Sequence, residues 1–310
     1  MLFRSLTTLI HAPTIEQLAN AIRPLSKDLN YPTLVPMKKT GSRPPFFCIH
    51  GGEGSTLFLH RLASKMDVDQ PFYGVEPEGM DGREFQRKTL EQIAAFYLSE
   101  IRKVQPNGPY CVGGYCFGGI VAYEIAQQLL RQGDRAALVV QFSTELRFHR
   151  NMPAPLKPKA PSNPLSKRFA TFLKNPGRAL YRLSAVRVKK KWKKVAPTFF
   201  RIWLRLGLRI PPRMRTLYVW RNLKNAERKY VPKPYPGLVV MFHGSDYEDD
   251  PKLGWDGLPE AIEHHIIGDS SQDARRELMR EPWVGQTARE LCDCIVRECD
   301  TTEFERKQAA

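Results

Sequence analysis

The 310-residue chain is 42% hydrophobic, enough for one large α/β domain or two smaller ones. No apolar run reaches the roughly 18 residues that span a bilayer, and the opening Met1–Leu6 lacks the long apolar region of a signal peptide. The formal net charge of +16 sits in one segment: residues 146–226 hold about 22 Lys and Arg with no Asp or Glu, which leaves the remainder slightly acidic.

The elements follow in order. Residues 1–30 read as one or two short helices, with Pro13 at a helix start and Ile15, Leu18, Ala19 and Ile22 on one face. The proline-rich stretch that follows, residues 31–45, reads as a linker. Pro45–His50 is a short apolar strand running into the glycine-rich turn Gly51–Ser55. Leu57–Met66 is a helix, Phe72–Val75 a strand, and Leu90–Val104 a helix with Ile93, Ala94, Tyr97 and Ile101 on one side. Pro109–Val112 and Ala136–Phe142 are buried strands. This βαβα rhythm predicts an α/β fold: a mostly parallel central sheet with helices on both faces. Residues 146–229 break the rhythm and read as a basic helical lid insertion. Strands resume at Gly237–His243 and Ile262–Ile267, and a last helix runs over about 282–299.

The six cysteines show no metal-ligand spacing and read as free thiols. That favours a reducing, cytoplasmic setting, and no metal or bound cofactor is expected.

Between a strand and a helix lies Gly113-Gly114-Tyr115-Cys116-Phe117-Gly118-Gly119. Strand, glycine-flanked turn and helix make the context of a nucleophile elbow, with Cys116 in place of the usual serine. At a helix N-terminus the dipole favours a thiolate, so a lowered thiol pKa is expected. The alternative is a structural cysteine in a glycine-rich turn.

With these residues placed, the chain resembles the thioesterase domains that end nonribosomal peptide and polyketide synthases, members of the α/β-hydrolase superfamily. The resemblance covers roughly residues 34–300 and rests on Leu34-Val35-Pro36, Pro45–Gly52, Gln70–Val75, Gln105–Tyr110, the elbow heptad, Tyr230–Gly237, Leu253-Gly254-Trp255 and Met279–Pro282. It implies a hydrolase domain over residues 46–304 with a lid at about 146–229. It also implies a remnant of a carrier-domain helix in residues 1–30, which lacks the Asp-Ser-Leu attachment site for phosphopantetheine.

The resemblance also assigns roles. Cys116 stands at the nucleophile position. The oxyanion donors are the amide of Phe117 and that of Gly52 or Glu53. Ser143 occupies the place of the family's acid, and Ser270 that of its histidine, so all three triad positions differ from the family pattern. Asp246, His264 and His265 are the available substitutes for the acid and base; by strand alternation the two histidines face opposite sides.

The reading leans to an enzyme that takes an acyl or peptidyl group from a carrier-bound phosphopantetheine thioester onto Cys116 for hydrolysis or transfer. The rival is an inactive thioesterase-fold protein that holds an acyl chain, a carrier protein or a membrane surface. In the basic segment, Arg201, Arg205 and Arg209 recur every four residues, beyond the run Lys189–Lys194. Such a segment suits a solvated lid face, an acidic carrier partner or an anionic membrane surface. Nucleic acid is disfavoured for want of a recognisable motif.

Overall fold

A computed structural model describes residues 33–146, 195–244, 253–268 and 277–299, together with Thr14, Glu16 and Gln17. The remnant expected in residues 1–30 and the lysine run 189–194 therefore lie almost wholly outside the described residues. The chain divides into two compact units, Met1–Met152 with Pro211–Ala310, and Pro153–Ile210.

The larger unit is built on one sheet of seven strands. These are β1 (Leu34–Lys38), β2 (Phe46–Ile49), β3 (Phe72–Val75), β4 (Tyr110–Tyr115), β5 (Ala136–Phe142), β6 (Tyr235–Gly244) and β7 (Pro259–Ile267). Their order is β1-β3-β2-β4-β5-β6-β7. Every neighbouring pair is parallel except β1 with β3. All four residues of β2 are buried, as are Tyr110–Gly114 of β4, which is the pattern of a parallel strand covered on both faces.

Among the described residues five helices flank the sheet: α1 (Leu59–Lys65), α2 (Leu90–Val104), α3 (Phe117–Arg131), α4 (Pro212–Lys229) and α5 (Val284–Cys299). α1 packs with α5 over a core that includes Phe46, Phe72, Leu138 and Phe242. α2 and α3 pack together, and α3 also lies against β4 and β5. α2 starts where Thr89 accepts a hydrogen bond from the Gln92 amide and the Gln92 side chain reaches back to the Thr89 amide, a reciprocal cap. α4 packs against α2, so the part of the lid segment beyond Pro211 belongs with the sheet.

Two expectations change. Leu34–Lys38, read as part of a linker, is the edge strand β1, with Pro36 opposite Tyr73. An edge strand tolerates a proline because one side of its ladder is unpaired, which is why the prolines masked it. Cys111 and Cys299, read as free thiols, are joined by a disulfide that ties β4 to α5 across 188 residues. With Cys111 and Cys299 paired, the cysteines no longer favour a reducing compartment. Among the described residues no helix is long and apolar enough to cross a membrane.

In the smaller unit, residues 195–205 are helical. Trp203 stacks on Phe199 at 5.1 Å and its indole N–H donates to the Arg209 carbonyl at 2.9 Å. Arg201, Arg205 and Arg209 are exposed, and so are the apolar side chains Ile202 and Leu206.

Candidate active site

β4 ends at Tyr115 and α3 begins at Phe117, so the chain reverses through Cys116 alone. Cys116 has φ 53° and ψ −110°, left-handed backbone that costs a residue with a Cβ on the order of 1–3 kcal/mol. Its amide donates to the Phe142 carbonyl at the end of β5, at 2.9 Å. The turn closes so tightly that a Cβ on Gly114 would lie 2.2 Å from the carbonyl carbon of Gly118. A Cβ on Gly118 would lie 2.5 Å from the Ile49 carbonyl oxygen. The glycines are thus required on both sides of Cys116, and β4, α3 and the end of β2 are brought together there.

Cys116 opens into a cavity of about 260 Å³ above the carboxyl end of the sheet. Tyr115 and Phe117 of the elbow line it, with Ile120 of α3. Gly52 contributes from the turn after β2, where the Gly54 amide donates to the Gly51 carbonyl at 3.0 Å. Ser143 and Glu145 contribute from the segment after β5. That segment is held by the Trp255 indole N–H donating to the Thr144 carbonyl and by the Leu146 amide donating to the Leu253 carbonyl. α4 supplies the facing wall through Trp220, Leu223, Lys224 and Glu227. Lys224 Nζ lies 2.6 Å from Glu227 Oε1.

The Cys116 side chain is exposed to the cavity, which partly surrounds it with protein. That desolvation raises the thiol pKa above its ordinary value, and the Glu227 carboxylate adds to the rise. A hydrogen bond from the Phe117 amide and the Lys224 charge pull the other way without reversing it. The lowered pKa expected from the helix terminus is not what the cavity gives: desolvation beside Glu227 shifts the thiol upward.

The residues singled out in the sequence fare differently. Cys116, Phe117, Gly52 and Ser143 meet in the cavity. Glu53 is exposed in its turn and does not line the cavity. Asp246 and Ser270 lie outside the described residues. His264 and His265 do not reach the site. His265 stands in register with Phe242 on β7, which is three strands from β4, roughly 14 Å at the usual strand spacing. Its Nδ1 is 2.6 Å from Glu290 and its Nε2 2.8 Å from Glu263. His264 Nδ1 is 3.2 Å from the buried His243 Nε2. His50 is buried, its ring nitrogens taken by the Gly51 carbonyl and the Tyr97 hydroxyl. Among the described residues no histidine lines the cavity.

Sequence reasoning missed Trp220, Lys224 and Glu227 because they lie in a segment read only for its charge. One signal was present: Glu227 is the first acid after the acid-free run 146–226. It is 7% exposed, which for a carboxylate calls for a partner or a role.

A mostly parallel sheet with a strained strand-to-helix turn at its centre and a cavity above that turn defines the α/β-hydrolase class. Comparison with known proteins narrows the class. The family model described as thioesterase domain matches residues 44–176, a stretch that includes the elbow. Malpinin synthetase of Mortierella alpina is 40% identical over 142 residues, covering 45% of this chain and 2% of that protein. The dimodular nonribosomal peptide synthase of Bacillus subtilis (strain 168) is 37% identical over 136 residues, covering 44% of this chain and 6% of that protein. The chain thus spans only a small part of these relatives. A crystal structure of a four-domain nonribosomal peptide synthetase bound to AMP and glycine shares the fold at 22% identity and a TM-score of 0.66, over 92% of this chain and 22% of that one. The NocB thioesterase domain, in covalent complex with a fluorophosphonate nocardicin G analog, does so at 20% identity and a TM-score of 0.56, over 83% of this chain and 95% of that one.

Proposed function

We propose that the protein takes an acyl or peptidyl group from a carrier-bound phosphopantetheine thioester onto Cys116 and passes it to an acceptor. The observation that carries this reading is the accessible thiol on a strained elbow, opening into a cavity of about 260 Å³, within the stretch that matches the thioesterase-domain model.

The thiol attacks the thioester carbonyl carbon, forming a new S–C bond. Its proton passes to the Glu227 carboxylate, which lines the same cavity on the α4 wall. The carbonyl oxygen, now an oxyanion, takes hydrogen bonds from the Phe117 and Gly52 amides. The bond to the pantetheine sulfur then breaks, and that sulfur leaves with the proton from Glu227. Exchange of one thioester for another is near thermoneutral, so acylation needs no further driving force. Transfer to an amine or thiol suits this site better than hydrolysis, because among the described residues no histidine lines the cavity to activate water.

The carrier is the natural partner in this reading. The exposed Arg201, Arg205 and Arg209 would meet an acidic carrier surface, with an anionic membrane surface as the alternative. That no histidine lines the cavity among the described residues favours a second reading, an inactive protein that retains the cavity to hold an acyl chain. Thiol release from acyl-pantetheine thioesters tests between them. Release that is lost in Cys116→Ala supports the enzyme, and none across a range of chain lengths supports the binding protein.

A further inference from the structure

Away from the cavity, β7 and α5 bring together side chains that no sequence spacing announces. Glu263 and His265 stand two apart on one face of β7, and Glu290 and Cys294 stand one turn apart on α5. Glu263 Oε1 lies 2.8 Å from His265 Nε2, and Cys294 Sγ lies 3.6 Å from the same nitrogen. The donor atoms of Glu263, His265 and Cys294 all fall within 4.8 Å of one another.

Bond lengths of about 2.3 Å for zinc to sulfur and about 2.0 Å to nitrogen, at tetrahedral angles, separate those two donors by about 3.5 Å. The observed separation of 3.6 Å fits that figure, whereas Glu263 Oε1, hydrogen-bonded at 2.8 Å from the same nitrogen, has to move out by about 0.5 Å to coordinate. The remaining contacts orient each ligand. His265 Nδ1 is bound by Glu290 Oε2 at 2.6 Å, and Glu290 Oε1 accepts from the Gln286 side chain at 2.8 Å. A carboxylate on the far nitrogen of a metal-bound histidine fixes its tautomer and raises its basicity. The ring also stacks on Phe242, centroids 4.6 Å apart. Arg297 holds Glu263 Oε2 at 2.6 Å, which leaves Oε1 directed at His265. Cys294 is buried, whereas Glu263 and Glu290 are partly open to solvent, giving a route in and a place for a water ligand.

We propose that Glu263, His265 and Cys294 form a divalent transition-metal site, filled by zinc with water as fourth ligand, that clamps the sheet edge to α5. Coordination takes Cys294 as thiolate and Nε2 unprotonated, with the displaced protons passing to solvent. One zinc ion balances the charges of Glu263 and Cys294.

The test uses the full chain, stripped with a chelator and titrated with cobalt(II) alone. The expected result is one equivalent bound with a tetrahedral visible spectrum and a thiolate-to-cobalt band, both abolished by added zinc. Cys294→Ser should remove the band and Cys292→Ser should leave it. Glu290→Gln should keep the band and weaken binding about tenfold. Zinc should raise the melting temperature of the parent protein but not of Glu263→Gln, a partly exposed change that leaves the core intact. Absence of the spectrum at millimolar cobalt, or a band that survives Cys294→Ser, would overturn the proposal and leave the cluster as a hydrogen-bonded histidine.

Discussion

Lys224 and Glu227 are joined by a 2.6 Å ion pair on the α4 wall of the cavity that Cys116 opens into. The pair sets the charge facing the thiol. If Glu227 accepts the thiol proton, Glu227→Gln should slow Cys116 acylation by about 10²-fold, the lower end of what a positioned base contributes. Single-turnover thiol release measures this. An unchanged rate would remove Glu227 from the mechanism.

The same geometry fixes how the thiol titrates. Desolvation and Glu227 hold it protonated beyond the ordinary thiol value. The rate of alkylation by iodoacetamide should therefore climb with pH to a midpoint above that of free cysteine. Glu227→Gln should lower the midpoint, and Lys224→Met should raise it. A wild-type midpoint near neutrality would contradict the account.

His50 gives a stability prediction of definite sign. Burial lowers its pKa from 6.5 to about 4, against a smaller opposing effect of its hydrogen bond to Gly51. Between those values the unfolded chain binds a proton that the folded chain does not, so this contribution is intact above 6.5 and lost as pH falls toward 4. The loss is about 3 kcal/mol. Urea denaturation of the parent protein and His50→Gln should show the parent losing about that much more stability over this window. Parallel pH profiles would refute it.

The elbow has its own test. A Cβ at residue 118 meets the carbonyl oxygens of Ile49 and His50, at 2.5 and 2.6 Å. Backbone cannot step aside as a flexible side chain can, so Gly118→Ala should destabilise by about 3 kcal/mol or prevent folding. Gly133→Ala is a useful contrast: nothing lies within 4 Å of a Cβ there, and only its φ of +74° adds cost. Thermal melts that rank Gly133→Ala as the more damaging change would contradict the close approach.

The strands and elbow were legible in the sequence because a parallel core leaves short apolar runs, and a sharp turn between strand and helix leaves glycines. β2, β4 and α3 declare themselves this way. β1 did not, because Pro36 reads as a breaker until its place at the sheet edge is known. At the site, Cys116, Phe117, Gly52 and Ser143 could be placed because each sits at the end of a recognisable strand. Glu227 and Lys224 could not, since α4 returns to the cavity from a segment whose composition announces only charge. The Glu263–His265–Cys294 cluster joins a strand to a helix about thirty residues on, and its spacing carries no metal signature.

The central claim is that Cys116 carries the acyl group. The direct measurement is intact-protein and peptide mass after brief exposure to acyl-pantetheine thioesters of several chain lengths. The account predicts one acyl unit added to the peptide containing Cys116, reversed by hydroxylamine and missing in Cys116→Ala. No adduct at any chain length, with no thiol released, or an adduct that persists in Cys116→Ala, would contradict it.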